Sequence, residues 1–68
     1  MFIVIELQKS GDTLGHLEFV FTDYNQALNK YHTVLAAAAV SNVSVHSAAL
    51  LDDTGAVMKN ECFIHKSN

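Results

Sequence analysis

Cys62 and His65 stand three positions apart, a spacing found within zinc sites. A tetrahedral zinc centre needs about four such ligands, and Cys62 is the chain's one cysteine. In an extended strand, moreover, residues three apart point to opposite faces. The pair is therefore read as no metal site, and Cys62 as a small buried hydrophobe. Thiolate catalysis would need an oriented base, and the spacing of His16, His32, His46 and His65 indicates none. The acidic residues Glu6 with Glu18, Asp52 with Asp53, and Glu61 fit solvated faces or turns equally well. No catalytic residue and no cofactor is assigned, so a non-enzymatic role is expected.

Two constellations suit binding instead. His46 and Glu61 fall opposite each other if the last two strands close across a four-residue turn, with Lys59 nearby on the same face. Such a mixture of polar and apolar groups is the usual makeup of a ligand pocket at a subunit boundary. The plainer alternative is a cross-strand polar pair. The second constellation is Asn29, Lys30, Tyr31, His32 and Thr33, a dense row of hydrogen-bonding side chains in mid-helix, where Glu, Lys and Ala are the commoner choice. Tyr31 is assigned to the core, and a polar seam between helices is the alternative for the rest. The expected ligand-binding set is thus Asn29, Lys30, His32, Thr33, His46, Lys59 and Glu61.

The elements that would position these groups follow from periodicity. Phe2 to Lys9 and Leu14 to Phe21 are β-branched and aromatic runs separated by Ser10-Gly11-Asp12-Thr13, a hairpin pattern. Pairing Leu7 with Leu17 puts Ile5 beside Phe19 and Ile3 beside Phe21, which makes one face wholly apolar. At Thr22 to Gln26 the period changes from two to 3.6, with Asp23 and Gln26 as a variant capping box. Tyr24, Leu28, Tyr31, Leu35 and Ala38 form the stripe expected to lie on the hairpin, while Asn25, Asn29 and His32 point away. Asn42, a residue that tolerates the left-handed conformation, is expected to help close the helix after Ser41. Val43 to Leu51 and Ala56 to His65 form a second hairpin about Asp52-Asp53-Thr54-Gly55. Its set Val43, Val45, Ala49 and Leu51 is expected to face the helix with Met58, Cys62 and Ile64. Phe2, Val4, Val20, Leu50, Val57 and Phe63 are then left on an open face.

The order strand, strand, helix, strand, strand predicts a single α+β domain over residues 1–68, with one helix on one face of a four-stranded antiparallel sheet. A chain of 68 residues buries only roughly 60% of the surface its unfolded form exposes. Its helix nevertheless ends in Leu35-Ala36-Ala37-Ala38-Ala39-Val40, apolar on every side. With one cysteine, no internal disulfide can reinforce the fold, and self-association as a homodimer or larger is expected.

The four basic and seven acidic side chains give a net charge of −3, with no arginine. Duplex nucleic acid is thereby disfavoured as a partner. A small anion would have to be held by Lys9, Lys30, Lys59, Lys66, hydroxyls or backbone amides. Met1 to Ile5 is apolar but stops at Glu6 without a basic leader, and is read as a strand, not a signal peptide. No apolar run reaches the roughly 20 residues needed to cross a bilayer, and a cytoplasmic protein is expected.

The stretch from Lys30 to Ser41, with Val45-His46-Ser47-Ala48 and Glu61-Cys62, resembles a group of small proteins carried by phages and prophages of Gram-positive bacteria. The resemblance implies a setting in the host-cell cytoplasm and no mechanism, and no site is carried over from it. Small phage proteins of this size are often accessory factors against host immunity. Two functions are consistent with that setting: an oligomer that sequesters a small polar ligand such as a nucleotide signal at its subunit interfaces, or a module that inhibits a host defence protein.

Overall fold

A two-residue loop sets the register of the first hairpin. In the computed structural model, which describes residues 1–65, β1 (Phe2–Ser10) turns at Gly11 and Asp12 into β2 (Thr13–Phe21). Gly11 takes a φ of +61° there, a backbone region that glycine enters at little cost. Ser10 then faces Thr13, Glu6 faces Leu17 and Val4 faces Phe19. The expected pairing of Leu7 with Leu17 requires a loop one residue longer; Leu7 instead faces His16. Because side chains alternate along a strand, this slip of one residue turns β1 over relative to β2. Leu17, Phe19 and Phe21 keep the helix side as expected, but their β1 partners are Phe2, Val4 and Glu6, not Ile3, Ile5 and Leu7.

Helix α1 (Tyr24–Val40) begins at Asp23, whose Oδ2 accepts the Gln26 backbone N–H at 3.0 Å. Its buried residues are Ala27, Tyr31, Val34, Leu35 and Ala38, and Tyr24 and Leu28 pack beside them. The expected stripe is therefore the one that docks. It ends at Ser41, an extended C-cap whose N–H donates to Ala38 O at 3.3 Å. Asn42 is not left-handed, since no non-glycine among the described residues has positive φ. Asn25, Asn29 and His32 are exposed on the outer face, as expected, and Val40 is 86% exposed.

β3 (Val45–Asp52) and β4 (Val57–Ile64) complete an antiparallel sheet of order β2-β1-β3-β4, with α1 on one side. The ββαββ architecture is thus the expected one. Val4 pairs with Leu50 and Glu6 with Ala48, so β3 presents His46, Ala48 and Leu50 to the helix. The expectation that Val45, Ala49 and Leu51 would do so is overturned: Val4 and Leu50 are fully buried, and the register carries their neighbours outward. Phe63, expected outside, packs on the core, whereas Cys62 and Ile64 are exposed. The sheet's other side carries Ile3, Ile5, Leu7, Val20, Val45, Leu51 and its partner Val57, with no element over it among the described residues. This open apolar face shares only Val20 and Val57 with the expected one.

Candidate functional site

Glu6 is a carboxylate that the register places on the core side, and its side chain is only 13% exposed. A buried carboxylate needs partners, and Glu6 has two. His46 Nε2 lies 2.6 Å from Glu6 Oε2, and Gln8 Nε2 donates to the same oxygen at 3.1 Å. The other imidazole nitrogen, Nδ1, lies 2.8 Å from Ser41 Oγ. His46 is 4% exposed and is the one buried polar residue among those described. With a neutral ring, Ser41 O–H donates to Nδ1 and Nε2–H donates to the carboxylate; a protonated ring donates on both sides. A hydrogen-bonded relay, Ser41–His46–Glu6, thus ties the helix end to β3 and β1. His65 reinforces the same junction by donating from Nε2 to Ala38 O at 2.7 Å.

An open cleft of about 270 Å³ lies beside the relay, lined by Glu6, Gln8, Gly15, His16 and Leu17. It forms where the first hairpin runs on past the helix end and where Gly15, opposite Gln8, offers no side chain to fill the space. Both contacts to Glu6 use Oε2; Oε1 accepts no hydrogen bond among the described residues, and none of their buried side-chain polar atoms is unsatisfied, so Oε1 is left to solvent. Two residues along β2 from Leu17, the Lys30 ammonium sits 4.1 Å above the Phe19 ring, a cation–π contact. Acceptors at Glu6 and Gln8 and one cation at Lys30 thus lie on the same side of the sheet.

Hydroxyl, imidazole and carboxylate in series have the roles of a hydrolytic triad. The surroundings do not suit acyl transfer, however. Ser41 caps a helix C-terminus, where free carbonyls give a negative end to the dipole. An oxyanion formed at Ser41 would meet that charge, whereas catalysis needs donors.

The structure separates most of the residues expected to bind together. His46 faces Phe63, not Glu61, which pairs with Ala48; the expected His46–Glu61 pair is absent because the β3–β4 register lies two residues away from it. Lys59 and Glu61 are exposed on the edge strand β4. Glu61 is electrostatically coupled to the Tyr31 phenol, whose pKa is raised by burial first and by that carboxylate second. Asn29, His32 and Thr33 lie on the solvent side of the helix, where Thr33 Oγ1 donates to Asn29 O at 2.8 Å and His32 meets the Tyr31 ring edge-on. His46 bonds the lining residue Glu6 and Lys30 sits over Phe19 on the same side of the sheet, but neither lines the cleft; Lys66 lies outside the described residues. Sequence reasoning missed Glu6, Gln8 and Ser41. The signal that could have found them is a charged residue alternating in phase with Phe2 and Val4.

Cys62 is exposed, so its assignment as a buried hydrophobe is corrected. No group of three or more potential metal ligands occurs among the described residues, and no helix of theirs is long and apolar enough to cross a membrane. Comparison with protein-family models, curated proteins and solved structures returns no match to this chain.

Proposed function

We propose that the protein is a non-catalytic, self-associating binding module that sequesters a small polar ligand in the helix-side cleft, in the setting of a phage accessory factor. The observation that carries self-association is the open sheet face with Ile3, Ile5, Leu7, Val20, Val45 and Leu51. Four strands about 4.8 Å apart and about eight residues long at 3.3 Å each give a footprint of about 500 Å² per copy. Two such faces packed together bury about 1,000 Å², near the lower bound for a specific interface. A patch of about 500 Å² matches the largest apolar patch that a soluble domain usually carries, and such patches are often functional.

The cleft supports the ligand half of the reading. Glu6 and Gln8 present acceptors to a ligand's N–H groups, and Lys30, held over Phe19 on the same side of the sheet, offers a cation for an anionic group. A nucleotide combines both features, with a base edge for the carboxylate and a phosphate for the ammonium. Capture of a host protein on the open face is the second reading, favoured by the same apolar surface.

Native mass spectrometry of purified protein, alone and with nucleotides, tests the proposal. A particle larger than one chain that carries or gains a small molecule is expected, with binding weakened by Lys30→Ala while the particle keeps its mass. Ile5→Lys on the open face should remove the face-to-face contact and lower the mass of the particle. A folded monomer at all concentrations, or an oligomer that takes up no small molecule, would overturn the corresponding half, and a stoichiometric host protein would favour the second reading.

A further inference from the structure

The two edges of the sheet are protected very differently. β4 carries Lys59, Asn60 and Glu61 in mid-strand and an irregularity opposite Leu50 and Leu51, features that discourage a further strand from pairing. β2 holds no lysine and no proline, pairs with β1 over nine residues without a bulge, and leaves Leu14, Leu17 and Val20 exposed at 59%, 53% and 59%. An unprotected edge of that kind is a template for another strand.

The residues of β2 complement their own reverse. Laid antiparallel to a second copy about its middle residue, Leu17, the strand sets Leu14 against Val20, Gly15 against Phe19 and His16 against Glu18, each twice. His16 Nδ1 already lies 2.6 Å from Glu18 Oε1 within the strand; across the dyad each gains a partner of complementary charge or hydrogen-bonding role. Phe19 covers the bare backbone at Gly15.

The backbone permits this register. Ser10 and Thr13 flank a two-residue loop and form a hydrogen-bonded pair, so alternation spends the peptide groups of Thr13, Gly15, Leu17 and Phe19 on β1. Those of Leu14, His16, Glu18 and Val20 point outward, and about Leu17 they meet one another: four pairs at two bonds each, about eight bonds.

We infer that β2 is the edge at which a second copy of this chain adds, joining two four-stranded sheets into one with both helices on the same side. The inference rests on the self-association proposed above and adds a second contact to it. Gly15, His16 and Leu17 line the cleft, so the dyad sets two clefts side by side and makes the ligand site a shared one.

Disulfide trapping tests this in a Cys62→Ser background. The self-facing Leu17 pair is non-hydrogen-bonded, with Cα atoms about 4.5 Å apart, within the disulfide range of about 4.4–6.8 Å. Leu17→Cys should therefore cross-link to a dimer under mild oxidation. Val20→Cys, roughly 20 Å from its own copy in this register (six residues at about 3.4 Å), should not. In a separate arm, Glu18→Lys and His16→Glu should each weaken the edge contact, and mixing the two should restore it as a heterodimer. Circular dichroism confirms that each variant is folded. If the parent protein sediments above monomer but Leu17→Cys fails to cross-link, or Val20→Cys cross-links in preference, edge pairing is refuted and face-to-face association stands. A monomeric parent refutes both.

Discussion

Removing His46 alone from the Glu6–His46 pair should cost more than removing both residues. The two side chains are 13% and 5% exposed and 2.6 Å apart. In His46→Leu the carboxylate keeps Gln8 and the water of the cleft but loses its strongest partner. Breaking a buried pair from one side costs about 3–5 kcal/mol, and the opening of Glu6 toward the cleft places His46→Leu at about 3 kcal/mol. Glu6→Leu removes the charge itself and strands only a neutral ring nitrogen, at about 2 kcal/mol. The double variant strands neither group and should lose about 2 kcal/mol, leaving a coupling of about 3 kcal/mol. Urea denaturation followed by circular dichroism, at one fixed protein concentration because association shifts apparent stability, measures all three. At roughly 4–8 °C per kcal/mol for a domain of this length, His46→Leu should melt roughly 12–24 °C below the parent, and the double variant above His46→Leu. Additive losses, near 5 kcal/mol in the double variant, would show that the two residues support the fold independently and would sink the relay as a coupled unit.

Asp23→Ala removes the helix N-cap and should cost about 1 kcal/mol in the same assay. Gly11→Ala forces a side chain into a left-handed position and should cost roughly 1–2 kcal/mol, with no clash to blame, since nothing lies within 4 Å of the added carbon. The Asp52 carboxylate accepts from the Thr54 hydroxyl and backbone N–H and from Ala56 N–H, which hold its pKa below the ordinary 3.8. Its contribution to stability is therefore present above the unfolded-state value and lost as pH falls through the lower folded-state one; a carboxyl NMR titration should find the depressed midpoint, and Asp52→Asn should flatten the acid limb of the stability curve. Cys62 lies on the open face, so a bulky maleimide should label it readily in dilute protein and slowly once copies assemble; equal rates would count against face-to-face packing.

The helix was legible because its two signals agree. Asp23 marks the start, and Tyr24, Leu28, Tyr31, Leu35 and Ala38 recur at helical steps against polar neighbours. β2 was legible for the same reason, since Leu17, Phe19 and Phe21 alternate with His16 and Glu18. β1 offers no such contrast: Phe2, Ile3, Val4 and Ile5 are all apolar, so its orientation depends on the loop, and Gly11-Asp12 closes in two residues. β3 misleads more directly. Its more apolar set faces out, while the inward His46 is acceptable only because Glu6, 40 positions away, and Ser41, five positions away, satisfy its ring. Partners so remote cannot be read from local alternation, and the site they build was invisible for that reason.

The brevity of the Gly11–Asp12 loop reaches beyond the hairpin it closes. One inserted codon there would lengthen the bend to three residues and break the present alignment of Glu6 with Leu17 and Val4 with Phe19. Because β1 is also held by β3, through Val4 with Leu50 and Glu6 with Ala48, the strand that must bulge or turn over is β2. Leu17, Phe19 and Phe21 would then leave the helix side, so the length of this one bend decides which aromatic rings the helix can bury.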